Sequence, residues 1–217
     1  MGIRIVLADS HKMVREGFCC LLDREFGMEV VGQAGDGRAA VELVKELKPD
    51  VVLMSVFLPS LNGVEAARRI TQEQTDVKVL AVSEHADRRS VCEMLKAGAS
   101  GFVSKQSDFE ELVSAVRSVA SNQTYLSPRI SGLVVEGYIH RAEGKNDSAY
   151  SVLTSREREV LQLIAEGRTT KSIAKELFVS IKTVEWHRGQ IMKKVRAKSI
   201  AELVKYAINE GLTPVFV

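Results

Sequence analysis

The sequence predicts an α/β protein: a doubly wound (βα)5 parallel-sheet domain over residues 1–121, a linker with one helix over 122–151, and a small all-α domain over 152–217. Three observations predict this. Five short runs rich in Val, Ile and Leu alternate with amphipathic stretches in the first 120 residues. Runs that are too short for helices and apolar throughout read as parallel strands buried on both faces. Beyond residue 152 the apolar spacing has only the helical period, with caps and stops at short intervals. Charge divides at the same place: residues 151–217 hold 12 Lys and Arg against 7 Asp and Glu, the remainder 18 against 21.

The strand runs are Ile3–Ala8, Glu29–Gln33, Asp50–Ser55, Lys78–Val82 and Ser100–Val103, and the helical stretches lie near 11–23, 37–47, 63–73, 86–97 and 108–121. Right-handed crossovers put any site beyond the carboxyl ends of the strands. That selects Asp9, Ser10, Ser55, Ser83 and Lys105. Ser127 and Pro128 read as the N-cap and first-turn proline of a helix of about 12 residues, and the polar run 141–148 as a flexible linker. Thr154-Ser-Arg-Glu157 is a capping box whose helix stops at Gly167. Thr170–Leu177, a Ser180-capped helix to about Arg196, and Ile200–Glu210 follow. The tight turn Leu177-Phe-Val-Ser180 makes the second and third of these a helix-turn-helix unit.

Composition narrows the function classes. No apolar run approaches the ~20 residues of a membrane span, and the N-terminus has no signal-peptide pattern. A cytoplasmic protein with no membrane partner is expected. Cys19, Cys20 and Cys92 match no zinc spacing and read as small buried hydrophobes. No Ser-His-Asp set, Gly-rich phosphate loop or metal cluster points to an enzyme. The basic C-terminal third points to nucleic acid.

Leu153-Thr-Ser-Arg-Glu-Arg-Glu-Val-Leu161, Ile173-Ala-Lys-Glu-Leu177 and Val179-Ser-Ile-Lys-Thr-Val-Glu-Trp-His187 resemble the LuxR/FixJ-type DNA-binding domain, over about 60 residues without a gap. Ile173, Ala174, Leu177, Val179, Val184, Ile191 and Val195 are spaced for a core. The opposite face of the third helix carries Glu185, His187, Arg188, Gln190, Lys193 and Lys194. The resemblance implies that Glu185, Trp186 and Gly189 face bases in double-stranded DNA. It implies phosphate contacts from Lys182, His187, Arg188, Lys193 and Lys194, and counts Thr183 among the DNA-binding residues. Trp186 has two readings, packing on thymine methyls or lying flat on the helix. The last helix resembles the one that pairs two such domains on DNA. Leu203 is expected in the core, with Val204 and Ala207 at a homodimer interface.

Ile5-Val-Leu-Ala-Asp-Ser-His11, Pro49-Asp-Val-Val-Leu-Met-Ser-Val-Phe-Leu-Pro59, Asn62-Gly63, Val82-Ser83 and Gly98-Ala-Ser-Gly-Phe-Val-Ser-Lys105 resemble a two-component receiver domain, phosphorylated in that family by a sensor kinase. The family's chemistry uses two acids after the first strand for Mg²⁺, an aspartate ending the third as phosphoacceptor, a hydroxyl ending the fourth, and a lysine after the fifth. This chain has Asp9, Ser83 and Lys105, but Ser10 at the second acid and Ser55 at the acceptor. Asp50 starts the same strand, ~15 Å away at ~3.3 Å per residue, and cannot substitute. A serine hydroxyl without a general base is a poor nucleophile, and it is a weaker Mg²⁺ ligand than a carboxylate. No aspartyl-phosphate and weak or absent Mg²⁺ binding are expected, with no other cofactor. Lys105 is expected to pair with Asp9 or Glu84. Ser83 and Phe102 occupy the places of the family's phosphate-driven switch, Phe102 with simple packing as its other reading.

The chain thus resembles a NarL-like response regulator with a degenerate receiver. Three accounts of the pocket stand open: a locked dimerisation module, a different signal such as a ligand, partner or Ser phosphorylation, or an engineered variant. Phosphorylation-independent DNA binding is the leading expectation. The alternative is an adaptor governed by a partner protein or small ligand, with DNA binding secondary.

Overall fold

The computed structural model describes residues 2–84, 87–140 and 149–214. The chain divides into two compact units, Met1–Gly144 and Lys145–Val217.

The first unit alternates β1 (Ile3–Ala8), α1 (Lys12–Leu22), β2 (Met28–Ala34), α2 (Gly37–Leu47), β3 (Val51–Ser55), α3 (Gly63–Glu73), β4 (Lys78–Ser83), α4 (Arg88–Lys96), β5 (Gly101–Ser104) and α5 (Phe109–Ala120). All pairings of these strands are parallel, in the order β2-β1-β3-β4-β5. The order reverses at β1 and β3, which opens a crevice beyond their carboxyl ends. β3 and most of β4 are buried on both faces, as their unbroken apolar runs require. One face packs Ile5, Leu7, Leu53, Leu80, Val82 and Val103 against Leu112, Ala115, Val116 and Val119 of α5. Short polar side chains start the helices: Asp36 accepts from the amides of Arg38 and Ala39, Asn62 from Glu65 and Asp87 from Ser90.

The unit does not end at residue 121. β6 (Tyr125–Leu126) adds a sixth parallel strand beside β5, and α6 (Pro128–His140) packs on α4. A two-residue strand carries no periodicity, so the sequence pattern reads it as linker. Pro128 is the first helical residue, as expected, but the Ser127 hydroxyl is buried without a partner, so the side chain does not cap. The Ser127 carbonyl accepts from Ile130 and Ser131 instead. The expected linker run 141–148 lies outside the described residues. The cysteines depart from the reading as buried hydrophobes: Cys20 is exposed, and Cys19 and Cys92 are half-buried.

The second unit contains α7 (Ala149–Val152), α8 (Ser155–Ala165), α9 (Thr170–Glu176), α10 (Ile181–Val195) and α11 (Ile200–Asn209). α7 is an added turn, its first amide held by the Glu210 carboxylate at 2.7 Å. Thr154 and Glu157 form the full capping box of α8, and Thr169, Ser180 and Ser199 cap the next three helices. Ile173, Ala174, Leu177, Val184 and Ile191 are buried with Leu161, Leu163, Leu203 and Leu212, while Val179 and Val195 pack at the edge.

Candidate phosphoacceptor pocket and nucleic-acid interface

The crevice of the first unit is built from strand ends. Asp9 follows β1, Ser55 ends β3, Ser83 ends β4, and Lys105 follows β5. Gly63 brings α3 close beneath the Ser55 carbonyl, where an added Cβ would approach the Ser55 oxygen to 2.0 Å. Asp9, Ser55 and Ser83 are buried, and Ser10 is exposed.

Lys105 Nζ lies 2.5 Å from Asp9 Oδ2 and 3.8 Å from Glu84 Oε1. Both alternatives read from the sequence are thus present, with Asp9 the close partner. The other Asp9 oxygen accepts the His11 amide at 2.8 Å and faces His11 Nδ1 at 3.2 Å. The Ser10 hydroxyl points to His11 Nδ1 at 3.3 Å. Phe102 is fully buried. A cavity of about 10 Å³, the space of one water, lies beside Ser55 and is lined by Leu7, Ala8, Asp9, Arg15, Phe18, Leu53 and Val82. Arg15 carries no motif signal of its own; only its place one turn into α1 would have marked it.

In the second unit, α10 presents Lys182, Glu185, Trp186 and Lys193 to solvent, with Thr183, Arg188 and Gly189 half-buried. Trp186 is 60% exposed and meets His187 edge-on at 4.9 Å between centroids, so it stands off the core. Gly189 has no atom within 4 Å of an added Cβ and leaves a notch one turn beyond Trp186 and Glu185. The Thr183 hydroxyl is 2.8 Å from Ser180 Oγ, inside the cap.

Two residues expected at phosphates are drawn toward α8. Lys194 Nζ sits 2.6 Å from the buried Glu157 carboxylate. His187 is half-buried near Arg156 and Glu157, and its Nδ1 is buried without a partner. Burial, then Arg156, lowers the His187 pKa against an opposing pull from Glu157. Neither Arg168 nor Thr170, the first residue of α9, is among the sequence-predicted DNA contacts. They line a 190 Å³ cavity with Glu185 and Arg188, and the loop after Gly167 brings them there. On α11, Val204 is half-buried, but Ala207 is fully buried in the core. Positions 203, 207 and 210 share the inner stripe, which removes Ala207 from the interface set.

A doubly wound receiver-type sheet joined to a helix-turn-helix unit defines the class: a DNA-binding transcription regulator of the response-regulator type. The response regulator receiver domain model matches residues 5–117, and that of bacterial regulatory proteins, luxR family, matches residues 151–207. Oxygen regulatory protein NreC of Staphylococcus carnosus (strain TM300) is 38% identical over 215 residues, covering 97% of this chain and 99% of the relative. Transcriptional regulatory protein LiaR of Bacillus subtilis (strain 168) is 36% identical over 210 residues, covering 97% and 99%. The crystal structure of a LuxR-family two-component response regulator from Aurantimonas sp. SI85-9A1 is 36% identical with a TM-score of 0.61, covering 64% of this chain and 99% of that one. The chain belongs to the LuxR family of two-component response regulators.

Proposed function

We propose that the chain binds operator DNA as a homodimer without phosphorylation of its receiver domain, in the cytoplasm and by binding rather than catalysis. One observation carries the reading. Ser55 ends β3 at the acceptor position, and among the described residues the one carboxylate lining the cavity beside it, Asp9, is committed to Lys105 and the His11 amide. Among the described residues the hydroxyl therefore has no free general base beside it, and a serine at neutral pH attacks poorly without one.

The same residues do not fit Mg²⁺. A hard cation wants several anionic oxygens, whereas Ser10 and Ser55 offer hydroxyls and Asp9 is already neutralised by Lys105. Input from a regulatory partner or ligand, not phosphoryl transfer from a sensor kinase, sets the active form in this account.

DNA contact falls to the open face of α10: Lys182, Arg188 and Lys193 at phosphates, Glu185, Trp186 and Gly189 toward bases. The exposure of Lys182, Glu185, Trp186 and Lys193 supports this. The dimer forms through α11 about Val204. The test is operator binding by the untreated protein, followed by mobility shift at several salt concentrations. Specific binding that weakens steeply with salt is expected. Salt-insensitive or absent binding favours the adaptor alternative.

A further inference from the structure

α10 is the second helix of the helix-turn-helix pair, the one whose N-terminal turns lie against base edges in the major groove. Glu185 stands in its second turn, exposed, and is the one acidic residue of Ile181–Val195. Among the described residues its side chain makes no ion pair and no hydrogen bond. Lys182 lies one turn before it and Arg188 one turn after, so cations flank the carboxylate along the helix without neutralising it. Its C-terminal flank is open. A side chain at position 189 would lean back over the turn that carries Glu185, but Gly189 has none, and no atom lies within 4 Å of where its Cβ would be. A base edge can therefore come directly against the carboxylate.

A carboxylate only accepts hydrogen bonds. The donors that face the major groove are amino groups, N4 of cytosine and N6 of adenine. Adenine sets its N7 acceptor beside that amino group, so two carboxylate oxygens there meet one donor and one repelling lone pair. Guanine shows two acceptors, and thymine an acceptor and a methyl. Cytosine alone offers a donor with no acceptor on its own edge. Against the other three bases Glu185 places negative charge on acceptor atoms, and the phosphates add to that repulsion.

We propose that Glu185 is a specificity-determining residue: it accepts from a cytosine amino group in each operator half-site, and it excludes the other bases by repulsion. Specificity is a difference of affinities, and a repulsive element widens it without adding attraction. Lys182 and Arg188 keep this stretch of α10 net positive, so the helix still approaches the phosphates. The inference rests on the reading that the open face of α10 meets bases, and adds which base one residue selects.

The test selects duplexes from a randomised pool with the full chain and two variants, then measures affinity for the enriched duplex carrying each base in turn. The wild type should enrich a site with a cytosine in each half, preferred over the other bases by about tenfold or more. Glu185→Ala should flatten that preference to within about threefold and bind an unrelated duplex more tightly at low salt. Glu185→Gln, which both donates and accepts, should move the preference to adenine. Glu185 is exposed and unpaired among the described residues, so both variants should unfold at the wild-type temperature. An enriched site whose every base preference survives in both variants overturns the proposal and leaves the reading of α10 standing. A wild type that enriches no sequence overturns both.

Discussion

Lys105 reaches from the end of β5 to Asp9 at the end of β1, and their charged atoms meet at 2.5 Å with side chains only 9% and 7% exposed. β3 and β4 lie between the two strands, so the ion pair spans the place where Ser55 stands. With a neutral residue at that place, Asp9 becomes the lysine's close counter-ion. Removing one partner of a buried pair strands the other's charge and costs about 3 kcal/mol. Asp9→Ala should lower the urea midpoint accordingly. Adding Lys105→Met should recover much of the loss, the coupling expected of residues in direct contact.

Lys194 and Lys193 are neighbours with separate tasks. Lys194 satisfies the buried Glu157, while Lys193 is exposed. Lys194→Met should destabilise the chain by about 1–2 kcal/mol, discounted because the lysine is 36% exposed. Lys193→Met should leave stability unchanged and reduce the salt slope of DNA binding by about 1. Thermal unfolding and binding at three salt concentrations separate the two.

Acid should weaken the second unit in two stages. Burial raises the Glu157 pKa, but the bonds from Lys194 and from the Thr154 amide and hydroxyl outweigh it, and the net shift is downward from 4.5. The His187 pKa is lowered from 6.5, chiefly by burial. Each group binds protons less readily folded than unfolded. Their stabilising contributions are therefore present above the unfolded pKa and lost as pH falls, for His187 below about 6.5 and for Glu157 below about 4.5. Denaturant titrations between pH 7.5 and 5 should show a falling midpoint that His187→Gln flattens.

Val204 and Ala207 should part company in the same way. Val204→Glu is expected to yield a monomer in sedimentation with stability changed by no more than about 0.5 kcal/mol. Ala207→Leu, at a fully buried position, should overpack the core and cost about 1–3 kcal/mol.

The (βα)5 order was legible because buried parallel strands write themselves as unbroken apolar runs, and β1, β3 and β4 fall within a residue of their expected ends. The pocket was legible because its residues sit at strand ends, whose positions the runs mark. β6 was not, since two residues make no pattern. The Arg15 hydrogen bond and the Lys194 ion pair were not legible for a different reason. A basic residue on a helix looks solvated in one dimension, and only the packing of α1 on the sheet and α10 on α8 shows which carbonyl or carboxylate it meets. Ala207 was misassigned because a small residue fits a core stripe and an interface equally well by period alone.

Whether Ser55 takes a phosphoryl group decides how this regulator is switched. Incubation of the untreated chain with acetyl phosphate and Mg²⁺, read by intact mass and operator affinity together, addresses it directly. The expected result is an unchanged mass and an unchanged affinity. A stable gain of one phosphate accompanied by tighter operator binding would contradict it.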